Sequence, residues 1–432
     1  MPRHAYAAAL LVLAALPAPA ADVPESLTGV DLRREHAARR AALAAALPED
    51  SLAVIPAEPA DPMALYSVRQ DEDFGWLTGI DDPNGILLLR SPAAKGRPHA
   101  ELLLLPPRNP RMEGWIGPRL YPGREAEEAL GVAATEDLRK AEEAVVARLR
   151  GVKSVLLPLQ GPAAEYAEKL LGDALRQRKV ARQDLRPVVG KLRLVKSGEE
   201  IARIRRAAEL SAEGHRRAMA SARPGMAEFA VQAVIEAACR EGGCRRQAYD
   251  SIVGSGPNAC VLHYGRNRRV LEEGDLVLVD AGGEFQGYAC DVTRTWPAGA
   301  RFSEEQAKAY DGVLAAQQAG IAAAKPGATF KEIDEACAKE LKERGLEKGI
   351  RHGPCHWVGR GVHDPNGSAP LQAGSVFVIE PGVYFPEKGW GIRIEDTFAM
   401  REDGSLDCLS AAAPKDRAAV EALRTAALAA PR

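Results

Sequence analysis

Five side chains able to bind a metal ion stand at the ends of β-branched or apolar runs: Asp280 in V-L-V-D-A-G, Asp291 in C-D-V-T-R-T, His356 in H-G-P-C-H-W, Glu380 in V-I-E-P-G and Glu395 in R-I-E-D. Each run reads as a strand, so several strands can converge their carboxylates on one point. Alone, Asp280 before Ala-Gly-Gly reads as the first residue of a turn, where Asp is common. Asp291 is different, because alternation over residues 288–295 places it inside a strand, where Asp is disfavoured. Glu395 interrupts an Ile-rich strand and Glu380 closes V-F-V-I, settings in which an ionised acid needs a partner or a cation. Four clustered carboxylates cannot all stay ionised at neutral pH. Two divalent ions would cancel their charge, and one neutral His completes the set without adding any. Paired ions ~3.5–4 Å apart activate a water and polarise a carbonyl, so the chemistry expected is hydrolysis.

The elements that must position these residues fall into two groups. In the first, apolar runs at residues 52–55, 86–89, 102–105 and 155–159 alternate with helical stretches at 31–47, 125–130 and 135–150. That alternation predicts an α/β layer domain over residues 22–187. From residue 188 to 432 the pattern changes. Ser197 with Glu200 forms a capping box that opens a helix, and a second helix follows Pro224-Gly225. Strands at 249–253, 276–280, 288–295, 376–380 and 391–398 and helices at 303–324 and 330–344 complete an α+β domain. Its expected form is one curved antiparallel sheet covered by long helices. No repeat of fixed period is present.

At 432 residues, 46% of them hydrophobic and 27% charged, the chain has the composition of a globular protein of two domains. A formal net charge of -2 gives no basis for nucleic-acid binding. Residues 1–21 combine Arg3 and His4, an apolar run and the small-residue stretch P-A-P-A-A, the three-part pattern of a secretory signal peptide cleaved after Ala20 or Ala21. No later segment is long and apolar enough to anchor the chain in a membrane. The expectation is an exported, bacterial periplasmic or secreted protein. Seven cysteines do not make a disulfide framework in a chain this long. Cys239 and Cys244 form the one close pair, read as buried free thiols with a local disulfide as the alternative.

The ordered set D-A-G, D-V-T-R-T, H-x-x-x-H-x-x-G-x-x-V-H-D, E-P-G and R-I-E-D resembles the pita-bread metallopeptidases, which include aminopeptidase P, prolidase, methionine aminopeptidase and creatinase. Y-S-V-R-Q-D-E-D-F-G-W-L-T-G-I near residue 70 is similar to the amino-terminal, creatinase-like domain of aminopeptidase P, so the resemblance covers nearly the whole chain after residue 21. It implies that Asp291 and Glu395 bridge two ions, that Asp280 holds one of them and that His356 with Glu380 holds the other. Glu380 would also act as general base. His263 would lie beside the scissile bond, and His363 would contact the substrate carbonyl. His352 would line the pocket beyond the proline, with Tyr384 a weaker fit to its wall. Arg393 and Tyr249 would orient Asp280 and its neighbours. The activity implied is removal of the first residue from peptides whose second residue is proline, with a prolidase acting on Xaa-Pro dipeptides as the alternative and a non-enzymatic binding protein as a more distant one. Manganese suits four carboxylates and an imidazole, with zinc, cobalt or iron as alternatives. A homo-oligomer, dimer or tetramer, is expected. The sequence departs from the family pattern after V-H-D, where D-P-N-G-S-A-P-L-Q-A-G replaces a longer connection, and these loops border the substrate cleft.

Overall fold

The computed structural model describes residues 25–60, 69–92 and 100–429. The signal-peptide segment and Tyr66 to Val68 of the amino-terminal block lie outside these residues. In the first domain a six-stranded mixed sheet takes the order Thr135–Asp137, Ala100–Leu105, Ile86–Arg90, Ser51–Pro56, Ser154–Leu157, Ala181–Asp184. Its central strands read as continuous apolar runs because both faces are buried. Alternation sorts them cleanly: Ala53, Ile55, Leu87, Leu89, Leu103 and Leu156 point to one core, and Leu52, Val54, Ile86, Leu88, Leu102 and Val155 to the other.

One expectation for this half changes. Residues 135–150 do not form one helix: Thr135–Asp137 is an edge strand, and the helix is Ala141–Arg148. The Asp137 carboxylate accepts the Arg139 backbone N–H at 2.9 Å, which turns the chain between them. The expected boundary after residue 187 falls inside the helix Arg186–Arg193, whose Val189 belongs to the first core while Leu194 belongs to the second.

The second domain begins with the long helix Gly198–Ser221, opened by the Ser197 and Glu200 capping box. With the helices Glu228–Glu241, Glu304–Ala323, Phe330–Glu343 and Arg417–Ala429 it covers strands that pair antiparallel throughout. The expected curved sheet is assembled from short pieces: Ile252–Ser255, Leu276–Asp280 and Thr293–Pro297; Val376–Ile379, Asp396–Met400 and Leu406–Cys408; and the hairpin Gly382–Phe385 with Trp390–Arg393. A further small sheet is built from Arg246–Gln247, Gly283–Phe285 and Tyr288–Ala289. The pieces are stitched where the acids sit, by Glu395 N–H donating to the Thr293 carbonyl at 3.1 Å.

The strands expected over 288–295 and 391–398 are both broken there. Asp291 lies between Tyr288–Ala289 and Thr293–Pro297, and Glu395 lies between Trp390–Arg393 and Asp396–Met400. The cause is side-chain capture of the backbone. Asp291 N–H donates to Thr397 Oγ1 at 3.1 Å, and that hydroxyl donates back to the Asp291 carbonyl at 2.7 Å, so this residue needs no ladder partner. Cys239 and Cys244 are both buried and free, as the favoured reading has it. Among the described residues no helix is long and apolar enough to cross a membrane.

One buried cation fixes the strand that follows Asp291. Arg294 is fully buried and donates to Asp396 at 2.6 Å, to the Thr293 carbonyl at 2.9 Å and to the Ala413 carbonyl at 2.9 Å. Among the described residues Asp396 has Lys415, at 2.6 Å, as its second cation. Replacing Arg294 with Met should therefore cost about 3–5 kcal/mol, the usual penalty for removing one partner of a buried pair. Chemical denaturation measures it, and a loss below about 1 kcal/mol, the scale of a surface pair, would show that the pair does not organise this strand.

Candidate metal centre

The five predicted ligands converge on one cleft of about 510 Å³, which His263, His352 and His363 also line. Asp280 is the last residue of Leu276–Asp280, in register with Thr293 on the next strand. Glu380 follows Val376–Ile379, and its N–H donates to the Pro354 carbonyl at 2.8 Å. His356 is held by its carbonyl, which accepts from Val378 N–H at 3.0 Å. Its Nδ1 lies 3.2 Å from the Trp357 carbonyl. Donation from Nδ1 to that carbonyl leaves Nε2 as the free lone pair, the arrangement of a metal-bound imidazole.

That Nε2 faces Asp291 Oδ2 at 3.4 Å, Glu380 Oε1 at 3.6 Å and Glu395 Oε1 at 3.9 Å. One ligand atom from each of Asp291, His356 and Glu395 lies within 4.8 Å of the others. Glu395 is 1% exposed; its Oε2 accepts from Thr293 Oγ1 at 2.7 Å, while Oε1 is buried with no hydrogen-bond partner. A buried carboxylate oxygen left without a partner is costly, and a cation between these donors supplies one.

The electrostatics agree. Burial raises Glu395 well above the usual carboxylate range, and Asp291 and Glu380 add to it. Burial lifts Glu380 to about 7, against His356 and Arg393. Asp291 is raised by burial and then by Asp280. Asp280 alone is lowered, because Arg393 and Tyr249 outweigh its burial. His356 rises to about 9, since its carboxylate neighbours, Asp291 first, outweigh its burial. Of the four acids only Asp280 is thus held below the usual carboxylate range, and the donor set, four carboxylates with one imidazole, fits divalent cations.

The supporting residues lie in a chain of hydrogen bonds. Tyr249 Oη is 2.6 Å from Asp280 Oδ1 and also contacts Asp291 Oδ1, so it sits between the two acids. Arg393 donates to Asp280 Oδ2 at 2.5 Å, to Thr293 Oγ1 at 3.1 Å and to Tyr384 Oη at 2.8 Å. Tyr384 Oη in turn lies 2.8 Å from His352 Nε2. Tyr384 is fully buried and does not line the cleft, which corrects its expected place on the pocket wall. Gly391 lies opposite it, where a Cβ would come within 2.8 Å of the ring, so the phenol lies over the sheet and reaches Arg393. The His363 ring meets that of His356 edge to face, with centroids 4.2 Å apart. His263 is exposed in the cleft, on the chain that follows the short helix Gly256–Cys260. Thr293 and Thr397, which hold Glu395 and Asp291, are absent from the sequence expectations. Pairing V-L-V-D with T-R-T in antiparallel register would have found Thr293.

Asp291→Asn should weaken binding of a divalent ion by at least about 100-fold, the upper end of losses for a perturbed ligand environment, whereas His363→Ala should bind it as the unaltered protein does. Calorimetric titration with Mn²⁺ checks both, and lost binding in His363→Ala would reassign that histidine as a ligand.

The description Metallopeptidase family M24 matches residues 202–402, and Aminopeptidase P, N-terminal domain, matches residues 36–156. A Xaa-Pro aminopeptidase of Escherichia coli is 35% identical over 440 residues, covering 91% of this chain and 98% of its own length. The mitochondrial intermediate cleaving peptidase 55 of Arabidopsis thaliana is 32% identical, covering 90% and 82% respectively. Among solved structures, proline aminopeptidase P II from Yersinia pestis superposes with a TM-score of 0.83 at 33% identity, covering 91% of this chain and 99% of that one. Aminopeptidase P from Escherichia coli, solved with the inhibitor Pro-Leu, gives 0.82 at 33% identity over 92% and 99%. The two-domain architecture is therefore that of aminopeptidase P, a pita-bread domain preceded by a smaller α/β domain, and the chain belongs to metallopeptidase family M24.

Proposed function

We propose that this chain is a metal-dependent aminopeptidase that hydrolyses the bond between the first residue of a peptide and a proline at the second position. The observation that carries the reading is the convergence of Asp280, Asp291, His356, Glu380 and Glu395 with His263 and His363 on one cleft. The relatives that carry Xaa-Pro aminopeptidase in their names, matched over nearly their whole length, support it. Asp280, Asp291, His356, Glu380 and Glu395 would hold two divalent ions, manganese by the hardness of the donors. Such ions supply a water acidified enough to attack a peptide carbonyl and a Lewis acid for that carbonyl.

The remaining steps belong to the chain. Glu380, beside the ions it would help to hold, can take a proton from the attacking water and return it to the leaving proline nitrogen. His363 is held below the usual imidazole range by burial, so its neutral ring offers an N–H to the substrate carbonyl oxygen. His263 stands exposed on the cleft wall, beside the bond to be cut. His352, fixed between Tyr384 and the Gly353 carbonyl, packs against the prolyl side.

A panel of Xaa-Pro dipeptides and Xaa-Pro-Xaa tripeptides, each assayed with Mn²⁺, Zn²⁺, Co²⁺ and Fe²⁺, tests the reading. Release of the first residue from tripeptides, with Mn²⁺ most effective, is expected. Cleavage of dipeptides alone would make the protein a prolidase, and no cleavage by any metal-loaded sample would favour a binding role.

We also infer export, supported by the signal-peptide pattern of residues 1–21. Expressed in a Gram-negative bacterium, the protein should be recovered from the periplasmic fraction with a mature terminus at Ala21 or Asp22. Recovery from the cytoplasm with residues 1–21 intact would refute it.

A further inference from the structure

Asp364 follows His363 directly, and its carboxylate is not in the cleft. It is 5% exposed and faces Lys196 at 3.1 Å, a weak contact from Gly361 N–H at 3.4 Å, and the guanidinium of Arg193. Its own N–H donates to the Trp357 carbonyl at 2.9 Å, so Asp364 closes the loop that starts at His356 and carries His363. Arg193 is 3% exposed at the end of the helix Arg186–Arg193, where the two cores meet. Besides Asp364 it grips two acids of the amino-terminal domain, Asp73 at 2.5 Å and Glu72 at 2.7 Å, both in the first turn of Glu72–Thr78.

The loop backbone is pressed onto the same groups. A Cβ on Gly361 would come within 2.4 Å of the Glu72 carboxylate, and one on Gly359 within 2.5 Å of the Asp364 carboxylate. On the far side of Asp364, a Cβ on Gly190 of the Arg193 helix would come within 2.3 Å of the Pro365 carbonyl. Removing one partner from a buried ion cluster of this kind leaves an uncompensated charge at high cost, so the cluster resists any arrangement that separates its members. The residue whose geometry is fixed here is the neighbour of His363.

We propose that Arg193 is a positioning residue that sets His363 in the cleft through Asp364, so that the amino-terminal domain, through Glu72 and Asp73, takes part in holding the catalytic constellation. The inference rests on the peptidase reading above. It requires a fork: a guanidinium can serve three carboxylates at once, whereas an ammonium keeps the charge but not the span.

Arg193→Lys should lower kcat by about tenfold on a Xaa-Pro tripeptide, in keeping with the loss expected from a sub-ångström misplacement of a catalytic group. KM should change by less than about twofold and metal content should stay the same, as for a group used only in the transition state. Glu72→Gln, at a partly exposed position that leaves Asp73 on Arg193, should give a smaller fall of the same kind. In a His363→Ala background neither substitution should lower kcat further. An equal proportional loss in both backgrounds, or an unchanged kcat in Arg193→Lys, would overturn the proposal. If the unaltered protein cleaves no Xaa-Pro peptide, the functional reading fails by itself, and a crystal structure of Arg193→Lys still decides this one: a displaced His363 supports it, and an unmoved one refutes it.

Discussion

Four acids, Asp280, Asp291, Glu380 and Glu395, share one wall of the pita-bread domain with one arginine, Arg393, and the structure around them is an answer to that excess of negative charge. Arg393 neutralises Asp280 and Tyr249 hydrogen-bonds it, while the other three carboxylates are raised by burial and by neighbouring acids. The orphaned Oε1 of Glu395 marks where the protein's own hydrogen bonds run out. Cations are the remaining source of compensation, and His356, whose Nε2 faces Asp291, Glu380 and Glu395, presents the nitrogen a cation needs.

The same demand explains the broken sheet. A continuous strand sends successive side chains to opposite faces, so on the neighbouring segments that carry Asp291 and Glu395 unbroken alternation would dictate where each carboxylate points. Breaks at Asp291 and Glu395 let both carboxylates turn inward, and Thr397 and the Thr293 carbonyl satisfy the backbone they expose. Arg294 then anchors the following strand to Asp396, beside the site but facing the core. The chain of hydrogen bonds from Asp280 through Arg393 and Tyr384 to His352 ties the histidine that lines the cleft to the acids.

Much of this is legible in the order of residues. Acids at the ends of apolar runs disclose both the ligands and the strands that hold them, because an acid inside a buried run has so few innocent explanations. The capping box at Ser197 is local and is read directly. What escapes is non-local. Alternation over 288–295 cannot register a break whose cause is Thr397, more than a hundred residues away. The place of Tyr384 turns on its pairing with Gly391, which decides whether the ring faces the cleft or the sheet. The cluster of Glu72, Asp73, Arg193 and Asp364 joins three separate segments, and nothing in any one of them announces the others.

The four acids and His356 form a site for divalent ions. Native mass spectrometry of the metal-free protein with increasing Mn²⁺ tests it most directly. Two ions per chain are expected, filling together or in close succession, and a protein whose mass does not change with Mn²⁺ would contradict the account.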